Sequence, residues 1–183
     1  MRLNPTKATR SLSAQQIVSC DTNNLGCNGG NPEGAYDYVK NFGGLETDSS
    51  YPYTSGAGST GTCVAKFSLL AGGVNIPSSF IYLSLRTEAN VQTYVNTKGP
   101  LSICLSATDW NTYKSGIKAT CTTDVNHCVQ LVGIDTTGPT PYWILRNQWG
   151  TGWGELGYMK LQFGSNLCVI TTNPNYLDNL VAL

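Results

Sequence analysis

The chain is short of charge. Lysine, arginine, aspartate and glutamate make up only 12% of its 183 residues, about half the usual fraction. The eleven basic and eleven acidic residues cancel and form no run of either sign, so nothing here would attract a phosphate backbone or an anionic membrane surface, and neither nucleic acid nor membrane is expected as a partner. No apolar run approaches the length of a membrane span. Histidine occurs once, at position 127, and no Cys-x-x-Cys pair exists, which argues against structural zinc; no metal and no cofactor are expected. The first twenty residues hold no apolar core of a signal peptide. Repeats and low-complexity linkers are also absent.

What is present points to a globular, loop-rich chain, with 40% apolar residues, 10% aromatics and 20 glycines. Seven cysteines (20, 27, 63, 104, 121, 128 and 168) are many for a cytosolic enzyme, and disulfides in an oxidising compartment are the better reading. Seven is odd, so at least one thiol is free or paired outside this chain. A disulfide-type composition without a signal peptide leads us to expect a true N-terminus further upstream.

Along the chain, residues 1–10 are polar and patternless. Ser13 is placed to cap a short helix from Ala14 to Cys20, with Gln16 in the capping-box position. Asp21 to Asn31 is a turn region, and Pro32 suits the first turn of a second helix carrying Ala35, Tyr36, Val39 and Phe42 at helical spacing until Gly43-Gly44 ends it. Residues 45–63 read as extended and loop structure. From Phe67 the pattern turns toward strands, with a short helix starting at Thr87 or Glu88 and ending at Lys98-Gly99-Pro100. Leu101–Leu105, Cys128–Ile134, Tyr142–Arg146 and Tyr158–Phe163 are strand candidates separated by glycine and proline. Helices first and an antiparallel sheet or barrel after them make an α+β chain with two lobes.

Chemistry concentrates late in the sequence. His127 opens one apolar run and Asn147 closes the next, which is how a base and its orienting amide would be presented at neighbouring strand ends. Each residue alone has a plain structural explanation, a satisfied core histidine or a turn asparagine. The stretch from Asn147 to Glu155 nevertheless holds three glycines and two tryptophans, more rigid aromatic surface than a turn requires. Tryptophan over an imidazole–amide hydrogen bond would shield it from water and strengthen it.

Several motifs resemble one family in the right order. Ser11-Leu-Ser-Ala-Gln-Gln-Ile-Val-Ser-Cys20 resembles the Ser-Leu-Ser-Glu-Gln-Gln-Leu-Val-Asp-Cys run of papain-like cysteine peptidases, the cathepsin L group. Gly26-Cys-Asn-Gly-Gly30 matches that family's loop without change, and Gly44-Leu45 through Tyr51-Pro-Tyr53 resembles its Gly-Leu to Tyr-Pro-Tyr stretch. Asn126-His127 and Tyr142-Trp-Ile-Leu-Arg-Asn147-Gln-Trp-Gly-Thr-Gly-Trp-Gly-Glu155 match the histidine and asparagine boxes, and Cys168-Val-Ile resembles the closing Cys-Gly-Ile. The resemblance implies a papain-like two-lobe fold. Residues 1–70 would be the remnant of the helical lobe without its central helix, and 71–183 the antiparallel, barrel-like lobe carrying the base.

The same resemblance implies roles. His127 would be general base and acid, Asn147 would fix its ring, and Trp149 would cover that bond and line the leaving-group side. Backbone at Gly29 and Gly30 would pair with an extended peptide or protein substrate. Pro32, Ala107, Val125, Asn126 and Asn173 fall where the family builds its main specificity pocket. A propeptide or proteinaceous inhibitor would be the other partner, and a lysosomal or extracellular location would suit the full-length protein. Cys20–Cys63 and Cys121–Cys168 resemble two family disulfides, with Cys27 belonging to a third whose partner is not in the chain.

One part of the family's machinery is not found. The nucleophile sits in a Gln-x-x-x-Cys-Gly-Ser-Cys-Trp motif that also supplies the oxyanion glutamine, and neither occurs in these residues. Cys104 reads as a small core residue and Cys128 as buried behind the base, because adjacent strand residues face opposite ways. With Cys27 they would leave three free thiols, none of them a credible nucleophile. Gln148 in place of the usual serine and Val169 in place of the usual glycine remove no group the chemistry needs. The expectation is a papain-type endopeptidase that is inactive as this chain and exposes apolar surface where its central helix would lie. The alternatives are a non-catalytic papain-like peptide-binding or regulatory protein, or an unrelated disulfide-stabilised α+β domain.

Overall fold

A computed structural model describes residues 11–72, 81–82 and 87–176. The polar opening, residues 1–10, lies outside the described residues. The chain divides into two compact units, one within Leu3–Phe80 and one over Ile81–Tyr176.

The first unit is built from short elements. Helix α1 spans Ala14–Cys20, and the Ser13 hydroxyl accepts the Gln16 backbone N–H at its start (3.0 Å). Only half of a capping box forms. The Gln16 side chain does not return to Ser13; it accepts the Glu46 N–H (2.7 Å) and donates to Tyr38 Oη and the Gly44 carbonyl. Helix α2, Pro32–Phe42, has proline in its first turn and ends where Gly43 turns left-handed (φ 92°). Strand β1, Leu45–Glu46, pairs antiparallel with β2, Leu70–Gly72. A disulfide joins Cys20 to Cys63.

The second unit is a seven-stranded sheet. Its strands are β3 (Ile81–Tyr82), β4 (Leu101–Leu105), β5 (Ile117–Lys118), β6 (His127–Asp135), β7 (Tyr142–Arg146), β8 (Tyr158–Gln162) and β9 (Asn173–Tyr176). They lie in the order β3-β9-β4-β6-β7-β8-β5, antiparallel except for the β5–β8 pair. Residues two apart on a strand share a face, and Trp143 with Leu145 on β7 and Met159 with Leu161 on β8 are all fully buried. They pack with Leu101, Ile103, Leu105 and Leu131 of β4 and β6 and with Val91 and Val95 of helix α3, Glu88–Thr97. Thr87 caps that helix through Oγ, and the Glu88 carboxylate accepts Trp143 Nε1–H and the Gly164 and Asn166 amides, tying the helix start to β7 and the turn after β8. A second disulfide, Cys121–Cys168, closes this unit.

Candidate active site

Register places the histidine. Leu101, Ile103 and Leu105 on β4 face Leu131, Val129 and His127 on β6, and directly paired residues share a face, so the imidazole continues the row of core side chains to the strand's first position. Asn126 holds that end in place. Its N–H donates to the Leu105 carbonyl (3.1 Å), its Oδ1 accepts the Ala107 N–H (2.9 Å), and its Nδ2 donates to Thr108 Oγ1 (2.8 Å). Asn147 follows the end of β7, where its N–H donates to the Gly157 carbonyl (2.9 Å).

The two side chains meet: His127 Nε2 lies 2.9 Å from Asn147 Oδ1. That same oxygen accepts the Gln148 backbone N–H (2.9 Å), so it is the acceptor and Nε2 carries the proton. Nδ1 is therefore left as the basic nitrogen, which is the tautomer logic of an oriented general base. Asn147 is 8% exposed, in a low-dielectric setting that strengthens the bond.

Aromatic rings surround it. Trp149 lies against the imidazole at 5.0 Å between centroids, and Trp110 meets it edge-on at 6.2 Å. Trp153 contacts both tryptophans and donates its indole N–H to the Trp110 carbonyl (3.0 Å). Trp110 is fully buried while Trp149 stays 38% exposed, so the cover over the histidine is open to solvent on its outer side. Sequence reasoning named Trp149 and missed Trp110 and Trp153. The second tryptophan of the Trp-Gly-Thr-Gly-Trp corner was the available signal for Trp153; nothing local marks Trp110.

The remaining candidates separate by unit. Ala107 is buried, Val125 and Asn126 are exposed, and Asn173 opens β9 directly opposite Cys104. Gly29, Gly30 and Pro32 belong to the helical unit. Gly29 is committed to its own turn, donating to the Gly26 carbonyl and accepting the Leu25 N–H. Gly30 makes no backbone hydrogen bond among the described residues, and a Cβ there would lie 2.2 Å from Asn24 Oδ1, so only glycine fits beside that side chain.

The cysteines depart from the sequence reading in one respect. Cys104 and Cys128 are not free thiols; they form a disulfide across β4 and β6, where they are direct register partners with Cα atoms 4.0 Å apart. Strand pairing, invisible in the separate segments, is what brings them together. Cys27 is the one cysteine outside a bridge, exposed in the Gly26–Asn28 turn. Among the described residues no cluster of side chains could hold a metal ion.

Comparison with known proteins agrees with this geometry. Residues 2–177 match the papain family of cysteine proteases. The chain belongs to that family. It is 41% identical to cysteine proteinase 3 of Solanum lycopersicum over 91% of this chain and 47% of that protein. It is 40% identical to the thiol protease aleurain of Arabidopsis thaliana over the same shares. The solved structure of digestive procathepsin L2 proteinase from Tenebrio molitor larval midgut superposes with a TM-score of 0.83 at 33% identity, covering 93% of this chain and 54% of that one. The chain thus spans about half the length of the papain-family relatives it matches, and its α+β architecture is papain-like.

Proposed function

We propose that this chain carries the base half of a thiol-peptidase site, with His127 as general base and acid, Asn147 as its orienter and Trp149 as their cover. The observation that carries the reading is the His127–Asn147 hydrogen bond, which leaves Nδ1 as the basic nitrogen. In the reaction Nδ1 takes the proton of a cysteine thiol, and the imidazolium holds the thiolate and later protonates the leaving amine. In the helical unit Gly30, rather than Gly29, has free backbone groups for an extended peptide and Pro32 would contact a substrate side chain; in the sheet unit Ala107, Val125, Asn126 and Asn173 would set side-chain preference. A propeptide or protein inhibitor would occupy the same groups. A secretory, lysosomal or vacuolar compartment suits the three disulfides.

The thiol itself is not among these residues. Six cysteines are bridged and the seventh is Cys27, so the chain alone hydrolyses no peptide. The test is to assay it against a fluorogenic peptide, then to join an upstream segment bearing Gln-x-x-x-Cys-Gly-Ser-Cys-Trp. Hydrolysis should appear only in the joined protein, and His127→Ala should lower it there by roughly 10²–10⁴-fold. A joined, folded protein that stays inert supports instead the non-catalytic peptide-binding reading.

A further inference from the structure

The Cys104–Cys128 bridge lies behind the histidine and has no part in the chemistry above. We propose that it is a thiol–disulfide exchange site, opened by a dithiol reductant while the fold persists, whose state sets the position of His127.

The bond is redundant for holding its strands together. Leu105↔His127 on one side and Ile103↔Val129 with Ser102↔Gln130 on the other keep β4 and β6 in register without it. The other two bridges are different: Cys20 ends α1 and joins a loop cysteine, and Cys121 lies in a loop and joins Cys168 of a short 3-10 turn. No strand ladder pairs their partners. Access also suits exchange. Cys104 is 3% exposed, whereas Cys128 is only half-buried, so Cys128 is the residue of the pair on which exchange would begin. The Cys104 thiolate leaves and takes a proton. The reductant's second thiol then releases Cys128 and closes the reductant's own disulfide, two electrons passing to the protein sulfurs.

The displacement reaches the site by two short routes. Opening replaces a covalent contact with a van der Waals one, so the sulfurs must part between backbones whose Cα atoms are 4.0 Å apart. Cys128 is covalently next to His127, and its carbonyl accepts Gln148 Nε2–H (3.1 Å). Gln148 is in turn next to Asn147 and donates its backbone N–H to Asn147 Oδ1. Both ends of the imidazole–amide bond are therefore one residue from the moving segment. The inference rests on the proposed function only for what the exchange would control, and its readouts do not include peptidase activity.

A single histidine makes the test direct, because its Hε1 proton resonance needs no assignment. The whole chain is titrated with dithiothreitol, thiols are alkylated at each step and mapped by mass spectrometry, and far-UV circular dichroism is followed in parallel. Cys104 and Cys128 should become alkylated as a pair while the far-UV signal is retained, and a shifted His127 resonance should grow in proportion. Oxidised glutathione should restore the first resonance, and Cys104→Ser with Cys128→Ser should show the shifted one without reductant. Alkylation only as the far-UV signal collapses would overturn the proposal, as would a His127 resonance that stays put while the pair is alkylated. The wild-type titration decides the matter alone if the double variant does not fold.

Discussion

The two units solve the problem of burial in opposite ways. The sheet unit buries large apolar side chains, with Trp110, Trp143, Leu131, Leu145, Met159 and Leu161 all fully enclosed. Among the described residues the helical unit buries Ser13, Gln15, Gln16, Asp21, Glu46 and Ser55 beside four apolar residues, Cys20, Val39, Leu45 and Tyr51. Some of its apolar side chains stay exposed, Leu25 at 70% and Phe67 at 72%. Polar networks replace a core there. Gln15 accepts the Thr54 and Ser55 amides and donates to Ser55 Oγ, and Glu46 Oε1 accepts the Lys66 N–H (2.6 Å). Such networks specify geometry, but each bond adds only about 1 kcal/mol net, far less than burying a large side chain. The proposed base and its orienter sit on the unit with the apolar core, which suits a site requiring fixed geometry.

Substitutions can break this comparison. Leu131→Ala should cost about 2–5 kcal/mol and lower hydrogen-exchange protection across β4 and β6. Replacing Cys20 and Cys63 by serine should cost about 2–4 kcal/mol, read as lost protection in α1. Gln16→Ala leaves the buried Glu46 N–H without its acceptor and should cost about 1–3 kcal/mol in urea unfolding. Were Gln16→Ala as damaging as Leu131→Ala, the helical unit would have to be read as core-dependent after all.

The smallest effect belongs to Glu155. Its carboxyl is held below the ordinary glutamate range chiefly by the Lys160 ammonium, with the Gly116 N–H and Tyr113 hydroxyl assisting. A depressed pKa stabilises the fold above the unfolded value, near 4.3, and the contribution is lost as pH falls through the lower folded value. As pH falls below the unfolded value and through the lower folded one, wild type and Glu155→Gln should therefore converge in stability, from a difference below about 1 kcal/mol at neutral pH. A difference that widens on acidification would contradict this.

The pairing of His127 with Asn147 in the candidate site is legible because its signals are local. His127 and Asn147 stand at the ends of apolar runs, and the glycine–tryptophan corner follows directly. Ser13 and Pro32 mark helix starts by side-chain chemistry that acts within one turn. What escaped depends on distant partners. Cys104 and Cys128 were both placed in strands, but only the β4–β6 register makes them opposite. Gln16 occupies a capping-box position, yet Glu46, Tyr38 and Gly44 compete for its amide and win it. Trp110 belongs to the histidine's surroundings only once the sheet has formed, and Gly29 differs from Gly30 only through the turn that consumes its hydrogen bonds.

In the proposed function His127 and Asn147 form a base without a nucleophile in this chain. The most direct measurement is labelling of the chain with an epoxide or vinyl-sulfone active-site probe, followed by peptide mapping. We predict no labelling that depends on His127. A label on Cys27, Cys104 or Cys128 that disappears with His127→Ala would contradict the account.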